Sequence, residues 1–187
     1  MRPQKVLDKD LLTALGKVFR SKGYEGTSIK DLSEATGLKK ASLYHRFPDG
    51  KEEMANSVFS HIDEWVKETI FFALNDESIV PQARLKQAID HISTLYNGGS
   101  YSCLFRAFSM ENGLQLFEKH ISNGITAYIK AFNTVGLALK FNKKEATEHA
   151  VQTLIEIQGS LILTKALNDT SIFENTLKNI ENRYLKQ

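Results

Sequence analysis

The alternation of apolar and polar positions predicts helices from end to end. Over residues 7–22, LDKDLLTALGKVFRSK, the residues Leu11, Leu12, Leu15, Val18 and Phe19 recur at the three-to-four spacing of one helix face. Asp8 and Asp10 fall in the first turn and Arg20 and Lys22 in the last, the order a helix dipole favours, and Gly23 is the predicted stop. Ser28 is an N-cap with Asp31 three residues on, a weak capping box ahead of Ile29, Leu32 and Ala35. Gly37 breaks this second helix. A third short helix follows, with Ala41, Leu43, Tyr44 and Phe47 on or near its inner side. Pro48 ends it, because the residue before a proline avoids helical backbone.

From Gly50 to about Leu74 the period is helical again, through Met54, Val58, Phe59, Ile62, Trp65, Val66 and Ile70. Asp76 to Pro81 is a break. Residues 81–96 form an amphipathic helix, NGGS at 97–100 is a turn, and the very apolar YSCLFRAFSM follows. Gly113 to Leu139 reads as one helix, Asn142 caps the next, to about Leu167, and Asp169 or Thr170 caps the last, to about Leu185. Only three prolines occur in 187 residues, and the glycines cluster between periodic stretches, which suits an all-α chain.

Composition narrows the class. No apolar run approaches the roughly 18 residues that span a bilayer, and the first ten residues, MRPQKVLDKD, lack the apolar core of a signal peptide. One cysteine, Cys103, excludes an internal disulfide framework and a multi-cysteine zinc site. These features imply a cytoplasmic protein with no membrane partner. Four of its histidines, His61, His91, His120 and His149, form no metal-ligand pattern, and no glycine-rich phosphate loop is present, so neither an enzyme nor a metal or other cofactor is expected.

The two short helices joined by TGL have helix-turn-helix spacing, in which the second helix enters the major groove. That accounts for TGLKKASLYHRFPDGKEEM, where so many polar side chains surround few apolar ones. Charge agrees. Lys17 to Lys51 holds eight Lys/Arg against four Asp/Glu, whereas the chain from Glu52 holds thirteen against sixteen. The basic excess at the N-terminal end points to a polyanion.

The segment LLTALGKVFRSKGYEGTSIKDLSEATGLKKASLYHRFPDGKEEM, residues 11–54, resembles the TetR family of bacterial transcriptional regulators. The matching features are Phe19 at the end of the first helix, the Gly23-Tyr24 turn, the Thr27-Ser28 helix start, Ala35 and Gly37, the Leu43-Tyr44-x-x-Phe47 signature, and Lys51 opening the next helix. Lys39 departs from the family's usual Ser or Thr cap. The FPDGK linker resembles the LmrA/YxaF-like subgroup, which includes repressors of multidrug-efflux genes. The resemblance implies a three-helix DNA-binding domain over residues 1–50 and a helical ligand-binding and dimerisation domain over 51–187, about nine helices in all. It implies a homodimer through the last two helices, double-stranded operator DNA as partner, and release by a small apolar or aromatic inducer. An activator or constitutive DNA-binding protein of the same fold is the alternative, and a helical enzyme or lipid carrier a more remote one.

Candidate contacts follow. Lys40 and Ser42, near the start of the recognition helix, can reach base edges. Lys39, Thr27 and Ser28 are phosphate contacts. Tyr44 either fills the core or packs its ring and bonds a phosphate through its hydroxyl. His45 touches DNA or is simply exposed. Lys51 opposes the dipole at a helix N-terminus, a placement that a nearby phosphate would explain. In the C-terminal part, Tyr96, Cys103, Phe105, Phe108, Phe117, Tyr128, Phe132 and Gln158 either line an effector pocket or pack as core. Apolar neighbours make Cys103 an inert thiol rather than a redox sensor. Glu156 and Gln158 orient a ligand or sit between subunits. Val151, Leu154, Ile155, Ile157, Leu161 and Ile162, with Ile172, Phe173, Leu177 and Ile180, form the broad apolar face assigned to dimerisation.

Overall fold

The computed structural model describes residues 8–186. The first seven residues, with Leu7 and most of the stretch lacking a leader's apolar core, lie outside them. Every described element is helical. In chain order they are α1 (Asp8–Gly26), α2 (Ile29–Thr36), α3 (Lys40–Arg46), α4, α5 (Pro81–Leu95), α6 (Leu104–Phe108), α7 (Glu111–Ala138), α8 (Lys143–Leu167) and α9 (Ser171–Leu185). Helix α4 joins Lys51–Val66, a π-helical turn Lys67–Phe71 and Phe72–Asn75 without a break in helical backbone. The nine described helices agree with the expected all-α class.

By backbone contact the chain forms two compact units. One runs to Asp63 and takes in Leu104–His120; the other is Glu64–Cys103 with the chain from Ile121 onward. In the first unit α1 packs on α2 and α6. Leu11, Leu15, Phe19, Leu32, Leu43, Met54 and Val58 are buried there. So is a ring cluster: Phe59 lies 4.8 Å from Phe108 and 5.4 Å from Phe117 between centroids, and Tyr24 lies 5.1 Å from Phe117. Gly23 is a kink inside α1 rather than its end. Its φ of 72° is open to glycine, and a β-carbon there would come 3.1 Å from the Ala107 carbonyl oxygen.

In the second unit α5 packs on the π-turn of α4, and α9 on α8 and α5. Phe132, Ile157, Leu161, Phe173, Leu177, Ile180 and Tyr184 form the interior. The predicted Asn142 cap is a full capping box with Glu145. At α9, Thr170 holds the cap position without a side-chain bond, and the Asp169 carboxylate instead accepts from the Ser171 N–H.

The broad apolar face expected on the last two helices divides. Ile157, Leu161, Phe173, Leu177 and Ile180 are buried within the chain, whereas Val151, Ile155 and Ile162 are exposed, joined by Leu163 and Leu167. Among the described residues no helix is long and apolar enough to cross a membrane.

Candidate nucleic-acid interface

The two short helices are clasped as their spacing predicts. Ser28 has extended backbone, φ −99° and ψ 158°; its hydroxyl accepts from the Asp31 N–H at 3.2 Å and its own N–H donates to the Asp31 carboxylate at 2.9 Å. Lys22 donates to the same carboxylate. Those bonds, the lysine's first and then the serine's, hold the Asp31 carboxyl well below the usual carboxylate range. The capping box is therefore complete rather than weak, and it fixes where α2 begins.

At the other end Gly37 takes φ 66° and ψ 11°, and its N–H donates to the Glu34 carbonyl. A β-carbon at Gly37 would meet nothing within 4 Å. The position requires glycine for its left-handed backbone and not for space. The turn is then bolted by hydroxyls: Thr36 donates to the Leu32 carbonyl at 2.7 Å, and Ser33 to the Leu38 carbonyl at 2.6 Å.

Helix α3 buries one of its seven residues, Leu43, and the next buried side chain is Phe47 just past its end. Lys39, Lys40, Ala41, Ser42, Tyr44 and His45 are exposed. Ala41 and Tyr44 therefore leave the inner side expected of them, because a seven-residue helix held by Leu43 and Phe47 has only a narrow inward stripe. Tyr44 is 47% exposed, and its ring edge lies against Gly50, where a β-carbon would sit 3.3 Å from it. The glycine thus seats the ring and leaves the hydroxyl end for a partner. Lys39 occupies the N-cap with no side-chain bond. No acidic residue occurs in α3, so its outward face is cationic and polar.

Three expected phosphate contacts are engaged within the protein, the first being Ser28, whose hydroxyl donates to the Asp31 carboxylate at 2.8 Å. Thr27 is 2% exposed, and its hydroxyl donates to the Gly23 carbonyl at 2.6 Å. Lys51 is half-buried; its ammonium donates to the carbonyls of Tyr24 at 2.9 Å and Thr27 at 3.2 Å and lies 4.3 Å from the centre of the Tyr24 ring. Its ammonium caps carbonyls at and just past the end of α1, which gives this cation a reason at the start of α4 that needs no phosphate. The sequence hides this because Tyr24 and Lys51 are 27 positions apart.

The eight residues expected around an effector fall into separate groups. Phe105, Phe108 and Phe117 belong to the unit that carries α2 and α3, packed on Phe59. Tyr96, Cys103, Tyr128, Phe132 and Gln158 belong to the other unit. There the Tyr96 hydroxyl lies 3.6 Å from the Cys103 sulfur, Tyr96 meets Phe173 edge-on, Tyr128 meets Phe71, and Phe132 packs near Tyr184. Cys103 is buried. Gln158 is half-buried. Glu156 is held by the last helix: Arg183 reaches both its carboxylate oxygens at 2.6 Å and the Thr153 hydroxyl at 3.0 Å. Burial pushes the Tyr184 phenol up to about 12. Among the described residues no cluster could hold a metal ion.

A short helix locked by one leucine and turned outward with lysines, hydroxyls and a seated tyrosine has the form of the second helix of a helix-turn-helix. Comparison with known proteins finds relatives of the same kind. Residues 11–58 match the model described as bacterial regulatory proteins, tetR family, and the relatives found over longer stretches are HTH-type transcriptional regulators. The chain is 29% identical, over 94% of its length and 92% of the relative's, to an uncharacterized HTH-type transcriptional regulator in the lacX 3′ region of Lactococcus lactis subsp. lactis. It is 33% identical to the HTH-type transcriptional regulator LmrA of Bacillus subtilis over 60 residues, 32% of each chain, in line with the subgroup resemblance. In fold it resembles a TetR transcriptional regulator from Legionella pneumophila, with a TM-score of 0.78 at 22% identity over 98% of this chain and 99% of that one.

Proposed function

We propose that the chain is a cytoplasmic, homodimeric repressor that binds double-stranded operator DNA through α3 and is released by a small apolar or aromatic effector. DNA reading belongs to residues 1–50, and effector binding and dimerisation to 51–187. The observation that carries the reading is the outward face of α3, where Lys39, Lys40, Ser42, Tyr44 and His45 are all exposed and uninterrupted by a carboxylate. Lys40 and Ser42 are the base readers, Lys39 and Tyr44 the phosphate contacts, with His45 beside them. Repression, rather than activation, follows the subgroup that the FPDGK linker resembles.

Dimerisation is supported by α8. Val151, Ile155 and Ile162 are 38%, 58% and 51% exposed and fall within about 40° of one another around the helix. A β-carbon on Gly159 would meet nothing within 4 Å, so a partner helix can approach closely. A second copy would cover these side chains and set two recognition helices about 34 Å apart, one per successive major groove. Tyr96, Cys103, Tyr128 and Phe132, each buried, with the half-buried Gln158, are the residues assigned to the effector. The effector must bind the off-DNA state more tightly, by a coupling of roughly 1–3 kcal/mol.

The test is binding to a duplex enriched from a random-sequence pool, read by fluorescence anisotropy at fixed salt. Lys40→Ala should weaken binding and relax the base preference, whereas Tyr44→Phe should weaken binding to all sequences alike. Unchanged affinity for both variants would refute these roles, and failure to enrich any sequence would refute the function.

A further inference from the structure

The way α3 is anchored points to one more base reader, Ala41, which the geometry assigns to the C5-methyl group of a thymine in the major groove. The inference rests on the operator-binding reading above and specifies what that surface recognises. Leu43 and Phe47 are the buried side chains that fix which way α3 faces inward, at 0% and 8% exposure. At about 100° per residue, the direction opposite to their mean falls on His45 and within about 40° of Ala41. These two residues, one turn apart, form the crest of the helix. Lys40 and Tyr44 fall on one flank and Ser42 and Arg46 on the other.

A crest residue meets the floor of a groove first, and flank residues meet its walls. Long side chains on the flanks reach phosphates and the base edges beside them. At Ala41 the side chain is a single methyl, so the backbone can sink toward the base pairs there. The chemistry then leaves one match. Each major-groove edge presents donors and acceptors, and only thymine adds an apolar group, its C5-methyl. A methyl between Lys40 and Ser42 can displace water from that group and can do nothing for a guanine or cytosine edge. Because the two flank neighbours bring their own hydrogen-bonding groups, Ala41 adds a preference they cannot supply.

The test uses the full-length protein and the enriched duplex, with each thymine replaced in turn by deoxyuridine, which removes only the methyl. Wild-type protein should lose about fourfold in affinity at one position per half-site, the worth of one buried methyl-sized group, and much less elsewhere. Ala41→Gly should bind the thymine and uracil duplexes alike at that position. Glycine loosens a short helix, so Ala41→Ser, which keeps the β-carbon but carries a hydroxyl, is the second variant and should also lose the methyl preference. A uracil scan that is flat in the wild type on an enriched duplex would overturn the assignment to Ala41 alone. So would a variant that keeps the full thymine preference. A pool that yields no enriched sequence would instead remove the operator-binding reading beneath it.

Discussion

Replacing Lys51 by methionine separates two roles for one ammonium group. The substitution keeps an unbranched apolar stem of similar length and removes the charge. Two hydrogen bonds are lost, to the carbonyls of Tyr24 and Thr27, with the cation lying over the Tyr24 ring. Hydrogen bonds from a charged donor contribute about 1.5–3 kcal/mol each in mutational series, and an exposed cation–π contact about 0.5–1 kcal/mol. These overlap on one group, and Lys51 is only half-buried, so solvent replaces part of what is lost. A net destabilisation of about 2 kcal/mol follows, or about 4–8 °C in Tm for a chain of this size. Urea unfolding followed by far-UV circular dichroism measures the first quantity. The second measurement is the salt dependence of DNA binding, since each phosphate contact contributes about 0.9 to the slope of log K against log salt. Lys51→Met should leave that slope within about 0.3 of the wild type, because the ammonium is spent on carbonyls. A stability change under about 0.5 kcal/mol together with a slope lower by about one would refute this reasoning and return Lys51 to the phosphate role that its sequence position suggests.

Three further outcomes are expected. Gly37→Ala should destabilise the folded state by about 1–2 kcal/mol in urea unfolding, because its β-carbon has room and only the left-handed backbone is penalised; Gly37→Asn should cost clearly less, and equal costs would place the constraint elsewhere. Asp31 is held well below its unfolded value of 3.8, so its contribution to stability is fully present above that pH and fades as pH falls below it. The stability gap between wild type and Asp31→Asn should therefore narrow from pH 6 toward pH 3, and a constant gap would contradict the bonds drawn to Asp31. Ile162→Glu sets a charge in the exposed stripe of α8 and should weaken self-association at least about tenfold in sedimentation velocity, as expected for loss of one buried aliphatic side chain; an unchanged association constant would move the dimer surface off α8.

The helices themselves were legible because local signals and periodicity agreed. Ser28 and Asn142 formed the caps their residue types favour, and Gly37 formed the left-handed break expected from its place between two apolar periods. What escaped depended on groups distant in sequence. The π-turn at Lys67–Phe71 leaves the apolar rhythm of α4 nearly intact, so the pattern carries no mark of it. Lys51 looked like a phosphate ligand because its two carbonyl partners lie more than twenty positions upstream. The outward turn of Ala41 and Tyr44 was hidden for a different reason. In so short a helix, alanine and tyrosine suit either side, and only the burial of Leu43 and Phe47 fixes the rotation. Likewise, apolar residues on α8 and α9 share one periodicity whether they face each other or solvent. Only packing divided Ile157 and Leu161 from Ile155 and Ile162.

The inclusion of Leu104–His120 in the compact unit that holds α1, α2 and α3 bears on how the chain can be cut and recombined. A fragment ending near Asp63 would be stripped of Phe108 and Phe117 and would expose the faces of Tyr24 and Phe59 that those rings cover. Moving this helix-turn-helix unit into another protein therefore calls for transplanting two stretches of chain together, and a chimera joined at a single point inherits half of a hydrophobic interior from each parent.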